Sequence, residues 1–170
     1  MAETKGAAGG AASGGAASSD ARLAAIYQDI ILDHYRRPRG KGALDAADGA
    51  EVLAAERRNP LCGDEISLQL ALDGDVVREA RFTGQGCSIS QASASMLTQA
   101  VRGRTRAEAE ALVKQFVALA HGDAAAAADP AMKEMRALSG VARFPARIRC
   151  ATLAWGALDD ALKAGAAAER

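Results

Sequence analysis

Residues 65 to 72 alternate strictly, with Ile66, Leu68, Leu70 and Leu72 on one face and Glu65, Ser67, Gln69 and Ala71 on the other. That period of two predicts a half-buried strand. Asp73-Gly74 follows, and Val76 to Thr83 resumes a strand pattern, so a tight hairpin is expected with residue 72 opposite 75 and Asp64 across from Thr83. A less regular strand over 51–57 completes a three-stranded antiparallel sheet.

Elsewhere the period changes to that of a helix. Leu23, Ile26, Tyr27, Ile30, Ile31 and His34 share one face of a segment that Ser19 or Asp20 can cap and that ends before Pro38. Ile89, Ala92, Ser93, Met96, Leu97, Ala100 and Val101 form a second apolar face, with Ser88 or Ser90 as cap. Thr105 and Glu108 have capping-box spacing ahead of Leu112, Phe116 and Leu119. Pro130 can start a short helix through Leu138. Pro145 opens the last helix, whose apolar face is Leu153, Ala154, Trp155, Leu158 and Leu162. The fold class expected is α+β, a three-stranded antiparallel sheet packed with about five helices.

The ends differ from this middle. Residues 1–19 are almost entirely Ala, Gly and Ser, with neither an apolar signal core nor an Arg-rich amphipathic pattern. They are expected to be a disordered tail before a domain over 20–164, with 165–170 a flexible C-terminus. Hydrophobic residues make up 49% of the chain, but 43 of its 170 residues are alanine, so the core must be built largely from small side chains. Lys plus Arg and Asp plus Glu number 21 each. Such a balance supplies no field to attract nucleic acid or an anionic membrane, and neither is expected as a partner.

Three cysteines, Cys62, Cys87 and Cys150, make an odd number, which with no recognisable secretory leader favours thiol or metal chemistry in the cytoplasm over a disulfide framework. Cys62 lies in Asn59-Pro-Leu-Cys-Gly-Asp64, where Pro60 stiffens the chain and Gly63 lets it turn, so that Cys62 and Asp64 can converge. The hairpin brings Cys87 to the same end, after the Gly84-Gln85-Gly86 loop. Cys87 and Cys150 are each expected at a helix start, where the dipole favours thiolate. Three thiolates and one carboxylate suit tetrahedral zinc, and the same side chains could hold an iron–sulfur cluster. Spacing alone does not choose. The two histidines read as structural: His34 lies on an apolar helix face, and His121 at a helix C-terminus.

Taken together, NPLCGD at 59–64, GQGCSISQASASMLT at 84–98 and RIRCATLAW at 147–155 resemble the IscU/NifU N-terminal family of iron–sulfur cluster assembly proteins, and DHYRRPR at 33–39 is similar to the same family. Two features resemble its SufU branch. Cys87 and Cys150 lie 63 residues apart, with extra chain within 103–140, and Arg149 stands where IscU-type proteins carry a histidine before the last cysteine. A guanidinium stays protonated and cannot ligate as imidazole does. Arg149 is instead expected to favour Cys150 as thiolate.

The resemblance implies a zinc-dependent persulfide carrier that accepts sulfur from a pyridoxal-phosphate cysteine desulfurase and passes it toward a downstream cluster-assembly complex. It implies zinc held by Cys62, Asp64, Cys87 and Cys150, with Cys62 as sulfur acceptor. The alternative implied by the wider family is a scaffold assembling a cluster on the same side chains. A third reading is a structural zinc adaptor.

Overall fold

In the computed structural model, residues 14–45 and 49–170 are described. The chain runs α1 (Gly14–Arg36), β1 (Glu51–Asn59), β2 (Asp64–Asp73), β3 (Val76–Gln85), α2 (Ser88–Val101), α3 (Arg106–Ala120), α4 (Ala124–Ala128), a 3₁₀ segment (Pro130–Arg143) and α5 (Pro145–Ala168). The sheet is antiparallel with order β1-β2-β3. No described helix is long and apolar enough to cross a membrane.

The alternation in β2 has the expected consequence: Ile66, Leu68 and Leu70 are wholly buried on the core face. The hairpin register differs from the sequence expectation. Asp73 pairs with Val76 and Leu72 with Val77, a bulge follows at Ala71/Leu72, and Glu65 meets Gln85, so Thr83 faces Ser67 rather than Asp64. The two-residue turn is Gly74-Asp75 and carries positive φ only at Gly74, the glycine-first pattern of a II′ rather than a I′ turn. The shift lengthens β3 to Gln85 and still delivers the cysteine loop and residues 86–87 to one end of the sheet.

Helix starts also differ in detail. α1 is described from Gly14, so Ser19 and Asp20 lie within it; the expected tail is helical over 14–19, and residues 1–13 lie outside the described residues. Cys87 itself is the N-cap of α2, with no side-chain cap bond. Thr105 and Glu108 do form the capping box of α3. The alanine run from 124 makes a short α4 capped by Asp123. From Pro130 the chain stays 3₁₀ to Arg143, past the expected end at Leu138, and is kinked at Lys133.

The core is organised by α2 and α5. Trp155, wholly buried on α5, stacks on Phe116 of α3 with ring centroids 4.3 Å apart. Its Nε1 donates to Ser93 Oγ at 3.0 Å, and that hydroxyl donates to the Ala151 carbonyl at 2.6 Å. α2 and α5 are thereby fixed against each other near the cysteine-bearing end. Arg57 of β1 holds Asp160 of α5 through two N–H donors at 2.7 and 2.9 Å, tying the sheet to the same helix.

His34 is a core residue, as its apolar face suggested. It is 1% exposed, with Nδ1 2.7 Å from Ser95 Oγ and Nε2 2.9 Å from Glu134 Oε2. His121 terminates α3, its Nδ1 2.9 Å from the Val117 carbonyl.

Candidate metal and sulfur centre

Asn59 shapes the cysteine loop. Its carbonyl accepts from the backbone N–H of Gly63 at 2.9 Å and, more loosely, from that of Cys62 at 3.4 Å, while its side-chain oxygen accepts from Leu61 at 3.2 Å. Gly63 adopts φ 72°, which a side chain would resist. This tight turn leaves Cys62 exposed and returns the chain into β2 with Asp64 buried.

Asp64 is the hub. Its Oδ1 accepts the Cys87 backbone N–H at 3.0 Å, and its Oδ2 lies 3.7 Å from the Cys87 sulfur. Burial works against the Asp64 carboxylate, yet hydrogen bonds from the Cys62 and Cys150 thiols and from Cys87 hold its pKa below the usual value. Gly86 is required beside it, because a Cβ there would come within 2.6 Å of Asp64 Oδ1.

Cys62 Sγ and Cys150 Sγ are 3.6 Å apart. Tetrahedral zinc with Zn–S bonds near 2.3 Å would set two thiolates about 3.8 Å apart, so the pair already has the required bite. Ligand atoms of Cys62, Asp64 and Cys150 all lie within 4.8 Å of one another. Cys87 stands at the edge of that trio, touching it through Asp64. The donor chemistry fits a four-coordinate soft metal.

Cys150 departs from its expected place. α5 starts at Pro145, so Cys150 lies in the second turn, with its thiol directed at the Ala146 carbonyl at 3.5 Å. The dipole's effect is confined to the first turn. Burial, reinforced by Asp64 and the neighbouring thiols, pushes the Cys150 thiol strongly up, opposite to the expectation of a depressed value. Metal-free, this cysteine is held protonated beside Asp64 and the Cys62 thiol.

Arg149 is exposed and lines a shallow cleft with Arg57, Arg58, Asn59 and Pro60, beside the cysteine loop. Among the described residues it makes no ion pair. Sequence reasoning missed Ser93 as the brace between the helices that carry Cys87 and Cys150. Its signal was available: a serine on an otherwise apolar helix face, facing the chain's one tryptophan.

The family described as the NifU-like N terminal domain matches residues 26–167. The zinc-dependent sulfurtransferase SufU of Bacillus subtilis is 44% identical over 144 residues, covering 84% of this chain and 92% of that protein. The iron–sulfur cluster assembly scaffold protein IscU of Streptococcus pyogenes is 42% identical over 151 residues, covering 87% and 89%. Among solved structures, a proposed cluster assembly scaffold protein for the SUF system of Fervidobacterium islandicum superposes with TM-score 0.67 at 30% identity, covering 81% of this chain and 97% of that one.

Proposed function

The chain belongs to the NifU-like N-terminal domain family, and we propose that within it this protein is a zinc-dependent persulfide carrier in iron–sulfur cluster assembly. The observation that supports this most is the asymmetry of the donor set: Cys62 is exposed on a turn, while Asp64 and Cys150, its close neighbours, are buried. One ligand can therefore be approached by a partner while the others stay fixed.

Cys62, Asp64, Cys87 and Cys150 are the residues that would hold zinc. Bound there, zinc would keep the thiols deprotonated at neutral pH and lower their nucleophilicity until a ligand is released. Released as thiolate, Cys62 attacks the terminal sulfur of a persulfide on the donor enzyme. The donor's S–S bond breaks, a new S–S bond forms on Cys62, and the donor cysteine leaves as thiolate, with no net oxidation. Asp64 retains its bond from the Cys87 N–H throughout and keeps the remaining donors in place. The donor is a pyridoxal-phosphate cysteine desulfurase, and Arg149 offers a cation beside its approach.

The second reading, a scaffold on which a cluster is built, is favoured by the S. pyogenes relative's name. Desulfurase turnover, measured with and without the zinc-loaded protein, tests the first reading: a several-fold rise is expected, and no change would sink it. Stoichiometric iron and sulfide with little zinc after anaerobic purification would establish the scaffold instead.

A further inference from the structure

One sizeable cavity among the described residues lies away from the cysteines. It has a volume of about 450 Å³ and sits between the C-terminal end of α2 and the start of the 3₁₀ segment. Edges of Met96 and Met135, 3% and 4% exposed, form its floor, with Met132 wholly buried beneath them. Arg102, Arg104 and Lys133 stand at its walls. Met96, its residue nearest the cysteines along α2, is nine positions beyond Cys87, about 14 Å at 1.5 Å per residue.

This cavity is the middle of a trough. A depression of about 270 Å³ shares Gln99 and Arg102 with it, and another of about 140 Å³ shares Arg104 and Ala131. The carboxylates along the trough are already engaged. Glu79 pairs with Arg81, Glu134 bonds His34, and Glu108 closes the capping box of α3. Two of the three cations at its centre are not. Arg37, Arg39, Arg57, Arg58, Arg81 and Arg106 all have carboxylate partners, and Arg104 gives its Nε–H to the Ala100 carbonyl at 2.7 Å and stabilises the Glu108 carboxylate, whereas Arg102 and Lys133 have no ion pair among the described residues. The position of Arg102 at the end of α2 suits the helix dipole, but that does not account for Lys133.

Lys133 carries a second, independent signal. Its backbone has φ 47° and ψ −128°, the one positive-φ non-glycine residue described. That region is essentially glycine's, and a lysine kept there is strained at the wall of a cavity. A methionine-edged floor, two rim cations without ion-pair partners among the described residues and a strained lysine, one of those two, coincide in one place.

We infer that this trough is a docking site for an acidic, extended segment of a partner protein, with an apolar side chain seated on the methionines. Extent decides between ligand classes: three neighbouring depressions that share lining residues suit an extended chain better than a compact anion. Methionine supplies an adaptable surface for the anchor, and the cations select carboxylates on either side of it. Occupation of the trough leaves the cysteine end of the molecule open, and the inference does not depend on the sulfur chemistry proposed there.

A fluorescein-labelled peptide in which glutamates flank leucine, titrated by anisotropy against the full chain, tests this. Binding should weaken as salt rises and should be lost when glutamine replaces glutamate. Arg102→Glu should weaken it by roughly five-fold, the scale expected for reversing one partly exposed charge. Lys133→Gly should weaken it while raising the Tm, because the cation and the strain are removed together; a structural lysine would not give that pairing. Arg78→Glu, on the exposed face of β3 outside the trough, should bind as the parent does. Unchanged binding in both trough variants, or an equal loss in Arg78→Glu, overturns the docking site. Displacement of the peptide by inorganic phosphate at matched charge also overturns it, in favour of a small-anion pocket.

Discussion

Asp64 meets Cys87 twice: Oδ1 accepts the backbone N–H at 3.0 Å, and Oδ2 lies 3.7 Å from the thiol. The carboxylate therefore has a structural task that precedes any metal, since it satisfies the N-terminal N–H of the α2 cap. Asp64→Ala should cost the metal-free protein about 1–3 kcal/mol by leaving that N–H without its acceptor. Asp64→Asn should retain most of that stability, because the amide oxygen can still accept, yet bind zinc more weakly. Denaturant unfolding beside a chelator competition assay separates the two losses.

Gly86→Ala places a methyl group within 2.6 Å of Asp64 Oδ1. The carboxylate must shift, and zinc retention against a chelator should fall while the circular dichroism spectrum stays that of the parent. Equal zinc retention in the two proteins would show that the crowding at Gly86 is relieved elsewhere.

Cys62→Ala and Cys150→Ala should behave differently. The first removes an exposed thiol and should leave the fold intact while abolishing sulfur uptake. The second opens a space in the core beside α2 and should lower stability as well as metal affinity. After incubation with a desulfurase and cysteine, mass spectrometry should find the persulfide on Cys62; finding it on Cys87 would reassign the acceptor.

The Cys150 thiol gives the metal-free protein an alkaline limit. Burial first, then Asp64 and the other thiols, raise its pKa in the folded state. The stability this contributes is complete below the unfolded thiol value of about 8.5 and is lost as pH climbs above it toward the folded value. Unfolding free energy measured across that range should decline in the metal-free parent and decline less in Cys150→Ala. Zinc loading near neutral pH should release protons, detectable with a pH indicator in weak buffer.

Ser93 braces the two helices that carry Cys87 and Cys150. Ser93→Ala strands the Trp155 Nε1 donor in the core at about 1–3 kcal/mol, while the Ala151 carbonyl keeps its bond within α5. It should also loosen zinc binding without touching a ligand, which metal release kinetics can follow.

Much of this was legible in the sequence because it is local. The period-two run from Glu65 gave β2 its buried face, and Thr105 with Glu108 announced α3. What the sequence did not show was where local rules compete. Glycine in the first turn position and a bulge at Ala71/Leu72 reset the register of β3, and the helix that Pro145 opens, as expected, is already in its second turn at Cys150. The four candidate ligands were named from their spacing and resemblance, whereas the division into a close trio with Cys87 at its edge depends on side-chain packing. The expected thiolate at Cys150 failed for the same reason: burial outweighed a dipole that ends a turn earlier.

The sulfur atoms of Cys62 and Cys150 touch across 88 positions of sequence. A metal held between them closes a loop that spans most of the domain, including α3, α4 and the 3₁₀ segment, and so acts on the unfolded chain as a reversible cross-link. The entropy of closing such a loop grows only with the logarithm of its length, about 0.6 kcal/mol for each doubling. Segment 103–140 can therefore lengthen or shorten among relatives at almost no thermodynamic penalty to the metal centre, which leaves that segment free to evolve surfaces of its own.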